Sequence, residues 1–376
     1  MNTRIVNYTS EHTAQMGTKH WKIGDVTDSV LVTLAGADLP KGWHFENFTE
    51  DHKVAKDSGG FELLMNPSLA GSFDVDALIS KHIDIGYGPK DTIISADFPI
   101  SRFLPISSQE ALQRQTTSTQ WYNRMKLEIP LTVPVVHGRN PDEMETHLEM
   151  YELDEKQEVC MGSNLAEAKP RVYDHMKKGG QSKEKVSRPS TTKLWLDAIE
   201  MMKVVRNNER EVFLLGAGGM NAAPIAALLG ATSVDATSWR LNAMMRKIFC
   251  TDHGRYIRVG MNPNYEQDWA KDFLEERLQD ENYPFAGMTF EELIRAFHLR
   301  GAAGTEVCKL HNIYELDRDA QRISDYAGDP DGLASMLTDR FHSTWKDSNN
   351  LRVLDAALAS IKSDASVAEN ISNLKR

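Results

Sequence analysis

Cysteine is nearly absent: Cys160, Cys250 and Cys308 are the only three in 376 residues. Three thiols cannot build a disulfide framework, so a reducing, cytoplasmic setting is expected. Long apolar runs are missing too. No stretch approaches the roughly 18–20 residues a membrane span needs, and the opening MNTRIVNYTSEHT lacks an apolar signal-peptide core, so no membrane partner is expected. Positive charge is in deficit, 43 Lys+Arg against 54 Asp+Glu, for a formal net charge of −11. Taken alone, that balance speaks against nucleic acid, because counterion release rewards positive surfaces. Repeats at solenoid periods and low-complexity tracts are also lacking. With 41% hydrophobic and 26% charged residues, what is present is an ordinary globular composition, which excludes global disorder. The length fits a single α/β barrel or two to three smaller domains.

Strand-length apolar segments alternate with stretches of helical period. The strand candidates are 29–35, 92–96, 131–136, 158–161, 211–215 and 233–235, nearly continuous Val/Ile/Leu runs of the kind parallel strands show when helices cover them. Helices are expected at 109–126, 141–152, 192–206 and 221–229, and then, in a mostly helical later part, at 269–278, 290–299, 314–327 and 351–373. This alternation predicts an α/β fold, a (β/α)8 barrel or a doubly wound sheet.

One segment departs from the acidic average. Lys169–Lys193 holds eight Lys/Arg and two acids, Asp174 and Glu184, with Gly179-Gly180 and Pro189 inside it. A long insertion between a strand and a helix is expected there. It is either a phosphate-contacting arm, through Lys177, Lys178, Lys183, Lys185 and Arg188, or a solvated surface loop.

Three polar clusters stand out. Asp57-Ser58-Gly59-Gly60-Phe61-Glu62 sets a carboxylate and a hydroxyl before paired glycines, which admit close backbone approach but also suit a plain turn. Leu215-Gly216-Ala217-Gly218-Gly219-Met220 follows a strand and invites a dinucleotide reading, yet G-x-G-x-x-G requires glycine at 221, where Asn221 stands. Ser233-Val234-Asp235 ends a strand in a carboxylate. Asp97 and His137 likewise end strand-like segments. In a barrel, strand C-termini converge on the active site, so Asp57, Asp97, His137 and Asp235 suggest one pocket suited to nucleophilic plus general acid/base catalysis.

These residues resemble, in order, the motifs of the tRNA-guanine transglycosylase superfamily. Asp57–Phe61 is similar to its D-S-G-G-F signature and Ser95-Ala96-Asp97 to the strand carrying a base-recognising aspartate. Val135-Val136-His137-Gly138 resembles V-Q-G with histidine for glutamine. Met161-Gly162-Ser163-Asn164 stands where backbone contacts the base, and Leu214–Gly218 resembles L-M-G-V-G. Asp235 falls on the nucleophile of F-D-C, and Leu310-His311-Asn312 resembles the L-H-N that closes the family's zinc site. The likeness spans residues from about 50 to about 320.

What the resemblance implies is a (β/α)8 barrel over residues 1–345, with the basic insertion at 169–193, the former zinc subdomain at about 262–315 and a C-terminal helix at 346–376 packed on the barrel. Asp235 would be the nucleophile and Asp57 the general acid/base. Ser58, Gly59, Phe61, Asp97, His137, Gly162, Ser163, Leu215 and Gly216 would bind the base. The family's C-x-C-x-x-C aligns with Tyr283, Phe285 and Met288, which would replace metal coordination by an apolar cluster, so no zinc or other cofactor is expected. A rival site would combine Cys250, His253, Cys308 and His311. A shortened start, the His137 exchange, the basic insertion and no room for an appended RNA-binding domain make the chain most similar to DNA 7-deazaguanine transglycosylases of the DpdA family, known from phages and genomic islands. The implied partners are DNA, which would present a flipped base, and a free 7-deazaguanine such as 7-cyano-7-deazaguanine (preQ0). Action on tRNA and a non-catalytic nucleobase-binding paralogue remain the alternatives; a homodimer or a partner protein is left open.

Overall fold

A computed structural model describes residues 6–11, 22–34, 38–60, 63, 66–100, 106–154, 156–162, 191–206, 210–342 and 349–362. Phe61, Ser163, Lys177, Lys178, Lys183, Lys185 and Arg188, all expected at the site, lie outside the described residues.

The fold is mixed α/β. Nine strands share one sheet: β1 (Val6–Glu11), β2 (Ser29–Thr33), β3 (Lys53–Asp57), β4 (Thr92–Ile94), β5 (Thr132–Val133), β6 (Val135–Val136), β7 (Val159–Met161), β8 (Val212–Leu214) and β9 (Ser233–Ala236). Every pairing in it is parallel, in the order β5-β4-β3-β2-β1-β9-β8-β7-β6. Its two end members, β5 and β6, are successive pieces of one run interrupted at Pro134. The Leu131 and Val133 carbonyls accept from Ile93 and Ser95 beside β4, while the Pro134 and Val136 carbonyls accept from Cys160 and Gly162 beside β7.

Helices Val75–Ile85, Ser108–Glu128, Pro141–Glu149, Thr191–Arg206 and Ala223–Leu228 alternate with the strands, as parallel crossovers require. Their starts are capped locally: Asp74, Ser107 and Asn140 each accept from first-turn amides.

Side-chain alternation divides the sheet into two faces. Leu31, Ala55, Ile94, Val133, Val135, Cys160 and Phe213 form one buried cluster, contributed by β2 to β8. Their neighbours Val136, Val159, Met161, Val212, Leu214 and Val234 point the other way, into a larger core with the helices, including Asn349–Lys362. Lys56 also takes the helix side. It is fully buried, and its ammonium is paired with the Asp91 carboxylate.

After β9 come helix Ser238–Met244, an antiparallel hairpin of β10 (Lys247–Cys250) and β11 (Arg255–Arg258), and helices Asp268–Leu278, Phe290–Phe297, Ala302–Ser324 and Pro330–His342. Buried charges tie this part together. Arg277 bonds Glu315 at 2.6 Å and also pairs with Asp252, which in turn meets Arg318 and Arg322; Asp319 pairs with Arg340. Asn312 accepts from the Phe249 amide at 2.8 Å and donates to the Trp239 carbonyl at 2.9 Å, so the L-H-N segment joins β10 to the helix after β9. Among the described residues no helix is long and apolar enough to cross a membrane.

Candidate active site

Parallel strands deliver their C-terminal ends to one edge of the sheet, and that edge collects the polar residues. Asp57 ends β3, Asp97 follows β4, His137 follows β6, Gly162 follows β7, Leu215 and Gly216 follow β8, and Asp235 is the last residue but one of β9. Strand alternation puts Asp57 and Asp235 on the inner face, with Ala55 and Phe213. The register sets Thr33 beside Asp57, and the Thr33 hydroxyl donates to Asp57 Oδ2 at 3.2 Å. Nothing in the sequence marks Thr33 for this role except its register on β2.

Asp57 has its other oxygen, Oδ1, bonded to the Gly59 amide at 3.2 Å, and Gly59 takes φ +91°, where a side chain would be strained. Burial lifts the Asp57 carboxyl. The Asp97 carboxylate lifts it further, as to a smaller degree does Asp235, while the hydrogen bonds from Gly59 and Thr33 oppose the rise. The outcome is a carboxyl at about 7, against an ordinary 3.8, able to give or take a proton near neutrality.

Asp235 is held from its own strand's neighbour. Gly216, at φ +78°, donates its amide to Asp235 Oδ1, and the Gly218 amide donates to the Asp235 carbonyl at 2.7 Å. The glycine-rich turn therefore wraps a carboxylate, and the only helix that follows before β9 is the six-residue Ala223–Leu228. Leu215 packs against the inner cluster.

Asp97 and His137 form a pair, Nε2 to Oδ2 at 2.6 Å, with side-chain exposures of 7% and 3%. The Asp97 carboxylate lies flat against Gly60: a Cβ there would stand 2.1 Å from Oδ1 and 2.5 Å from Oδ2. His137 is supported from behind. Its amide donates to His147 Nδ1 at 2.9 Å and its carbonyl accepts from Gln115 Nε2 at 2.9 Å. Sequence reading missed His147 and Gln115, since neither lies in a motif. Ser58 is among the residues expected to bind the base. Ser58 is 2% exposed and its hydroxyl hydrogen goes to the Ile94 carbonyl at 2.6 Å, fastening β3 to β4.

The positions aligned with zinc ligands do not fit that metal. Tyr283 donates or accepts with His311 Nδ1 at 2.7 Å, and His311 Nε2 meets the Phe249 carbonyl at 2.8 Å, so both ring nitrogens are occupied within the protein. Tyr283 and Phe285 are buried beside Phe297 and Cys308, whereas Met288 is 40% exposed and corrects the expectation that all three fill one apolar cluster. Burial lowers His311 to about 4 and keeps it neutral. Among the described residues no three His, Cys, Asp or Glu side chains gather in a way that could hold a metal.

Three carboxylates with distinct partners, at the C-terminal ends of β3, β4 and β9, can supply a nucleophile, a proton donor and an acceptor for a ligand's N–H groups. No family model and no curated protein matches this chain.

Proposed function

We propose that the protein is a base-exchange transglycosylase that replaces guanine in DNA by a 7-deazaguanine. The observation that carries this reading is the grouping of Asp57, raised to about 7, with Asp235 and Asp97 at one sheet edge. Together with the order of motifs along the chain, it gives each carboxylate a separate task. We also infer that the sheet is a closed eight-stranded (β/α)8 barrel. The run 131–136 hydrogen-bonds β4 on one side and β7 on the other, which supports closure through a single strand bent at Pro134.

A guanine flipped out of the duplex would present its N–H edge to Asp97. Asp235, oriented by the Gly216 amide, attacks C1′ of the sugar. The C1′–N9 bond breaks with its electron pair going to the base, and protonated Asp57 neutralises the departing purine. The covalent glycosyl–Asp235 ester then meets the incoming 7-deazaguanine. Its N9–H gives a proton to Asp57, N9 attacks C1′, and the ester carboxylate leaves, so the anomeric configuration is retained overall. DNA rather than tRNA is supported by the same departures that set the chain apart in sequence: Tyr283 and Phe285 in place of thiolates, and the basic stretch 169–193.

The test is incorporation of labelled guanine into plasmid DNA and into tRNA, run in parallel with Asp235→Asn. Wild type is expected to label DNA and to form a denaturant-stable protein–DNA adduct; Asp235→Asn is expected to do neither. Exchange retained by Asp235→Asn would refute the nucleophile assignment, and labelling of tRNA alone would refute the substrate.

A further inference from the structure

The His137 ring is fixed on every side, and what it is fixed against is Asp97. Its Nε2 edge bonds Asp97 Oδ2 at 2.6 Å. Its opposite edge lies on Gly162, where a Cβ would stand 2.1 Å from both Nδ1 and Cε1. The backbone is pinned by His147 Nδ1 and by Gln115, whose Nε2 also reaches the Glu143 carbonyl at 2.8 Å. Burial lowers His147 to about 3, so it is neutral, and its Nδ1 lies 2.9 Å from the His137 amide nitrogen and 3.2 Å from the His137 carbonyl. The ring of His147 runs nearly parallel to that of His137, with centroids 6.3 Å apart and planes 20° apart. Rotation of His137 is therefore blocked, and so is rotation of Asp97, wedged between the imidazole and Gly60.

We propose that His137 is a positioning residue that acts through Asp97, locking the carboxylate as an acceptor for adjacent N–H donors and so selecting 2-amino-6-oxopurines over purines without that donor pair. This rests on the base-exchange reading. With Oδ2 committed to the imidazole N–H, Asp97 presents its remaining acceptor capacity in one orientation. A guanine-type edge, N1–H beside the 2-amino group, satisfies that carboxylate; hypoxanthine lacks the second donor, and adenine turns an acceptor toward it. A site built around a buried polar acceptor rejects analogues that leave it unpaired. Without the imidazole, Asp97 can turn, and the distinction weakens. His137 acts through Asp97, since its Nε2 edge is bonded to that carboxylate and its Nδ1 edge packs on Gly162.

The experiment compares His137→Leu, His137→Gln and Gly162→Ala with wild type, using guanine, hypoxanthine and 7-cyano-7-deazaguanine as incoming bases. His137→Leu is expected to raise KM for guanine about 10- to 100-fold with kcat changed less than about 3-fold, and to cut the guanine-over-hypoxanthine preference about 10-fold. Gly162→Ala, which displaces the ring without removing it, is expected to shift both quantities the same way. His137→Gln, which keeps an N–H donor, is expected to recover most of the preference. Unchanged preference in both His137→Leu and Gly162→Ala would overturn the proposal, as would failure of His137→Gln to recover any preference. Equilibrium dialysis of wild type with the same bases separates the two levels: binding of none of them would overturn the base-exchange reading itself.

Discussion

Asp57 sits among like charges, and its pH behaviour follows from them. Its folded value of about 7 lies above the ordinary 3.8, so between those values the folded protein holds a proton that the unfolded chain releases. The sign is then fixed. Stability from this group is complete below the ordinary carboxylate range and is lost as pH rises through about 7. Linkage caps the loss at about 4 kcal/mol, and water reaching a partly exposed carboxyl brings it to about 1–3 kcal/mol. Asp57→Asn abolishes the titration, so its urea stability is expected to match wild type near pH 3, to pull ahead progressively as pH rises from about 4, and to exceed wild type by that amount near pH 8. Greater stability of wild type near pH 8 would contradict the assignment. The catalytic consequence has the same sign. Adduct formation needs the protonated acid, so its rate is expected to fall above about pH 7. A rate that climbs between pH 7 and 9 would show that another group protonates the leaving base.

The elements that carry the site differ in how openly the sequence displays them. Strands β7, β8 and β9 were legible as short Val/Ile/Leu runs, and expected and observed limits differ by only a residue or so. β3 reads Lys-Val-Ala-Lys-Asp, and its Lys56 argues for a surface strand until Asp91, 35 residues on, supplies the buried counter-charge. β1, Val-Asn-Tyr-Thr-Ser-Glu, has no apolar run at all, and only pairing with β2 and β9 defines it. The 131–136 strand was found, but not its division at Pro134. Helix Ala302–Ser324 begins 12 residues before the expected start; the Arg246 guanidinium packs against Gly304 in its first turn and donates to the Phe297, Leu299 and Gly301 carbonyls just ahead of it. At the site, the aspartates were visible as polar endings of apolar strands; the coupling of Asp97 to His137, His147 and Gln115 was not, because it joins four segments with no common motif. The charge network of the later helices was equally invisible, and it makes its own prediction. Glu315 and Arg277 are 0% and 1% exposed, so Glu315→Ala leaves a buried guanidinium with Asp252 as its remaining deep partner. A loss of about 3–5 kcal/mol is expected, read as a lower urea midpoint at unchanged m-value, with Glu315→Gln losing less. No shift in midpoint would mean the network is solvated rather than sealed.

At the scale of the whole molecule, a net charge of −11 opposes approach to a polyanion, yet the proposed substrate is one. Total charge governs solubility and long-range repulsion; binding responds to the local field. The 169–193 stretch carries a net +6 and leaves −17 on the rest, so the chain is electrostatically polarised along its sequence. In the sequence, residues 169–190 of that stretch fall between β7 and helix Thr191–Arg206, and β7 ends at the side of the sheet where Asp57, Asp97 and Asp235 gather. On the proposed function, a basic segment joined to the chain after β7 would be available to phosphates flanking a flipped base. On the same proposal, the acidic remainder would disfavour DNA lying anywhere else and make binding orientation-selective. Two measurable consequences follow. DNA affinity is expected to fall steeply with salt, each phosphate contact adding about 0.9 to the log–log slope. Replacing Lys177, Lys178, Lys183, Lys185 and Arg188 together by glutamine is expected to flatten that slope by about 2–4, weakening binding alike for all duplex sequences while free-base binding is unaffected. A slope unchanged by the five replacements would place the phosphate contacts elsewhere on the protein, and the basic stretch would then be a solvated surface loop.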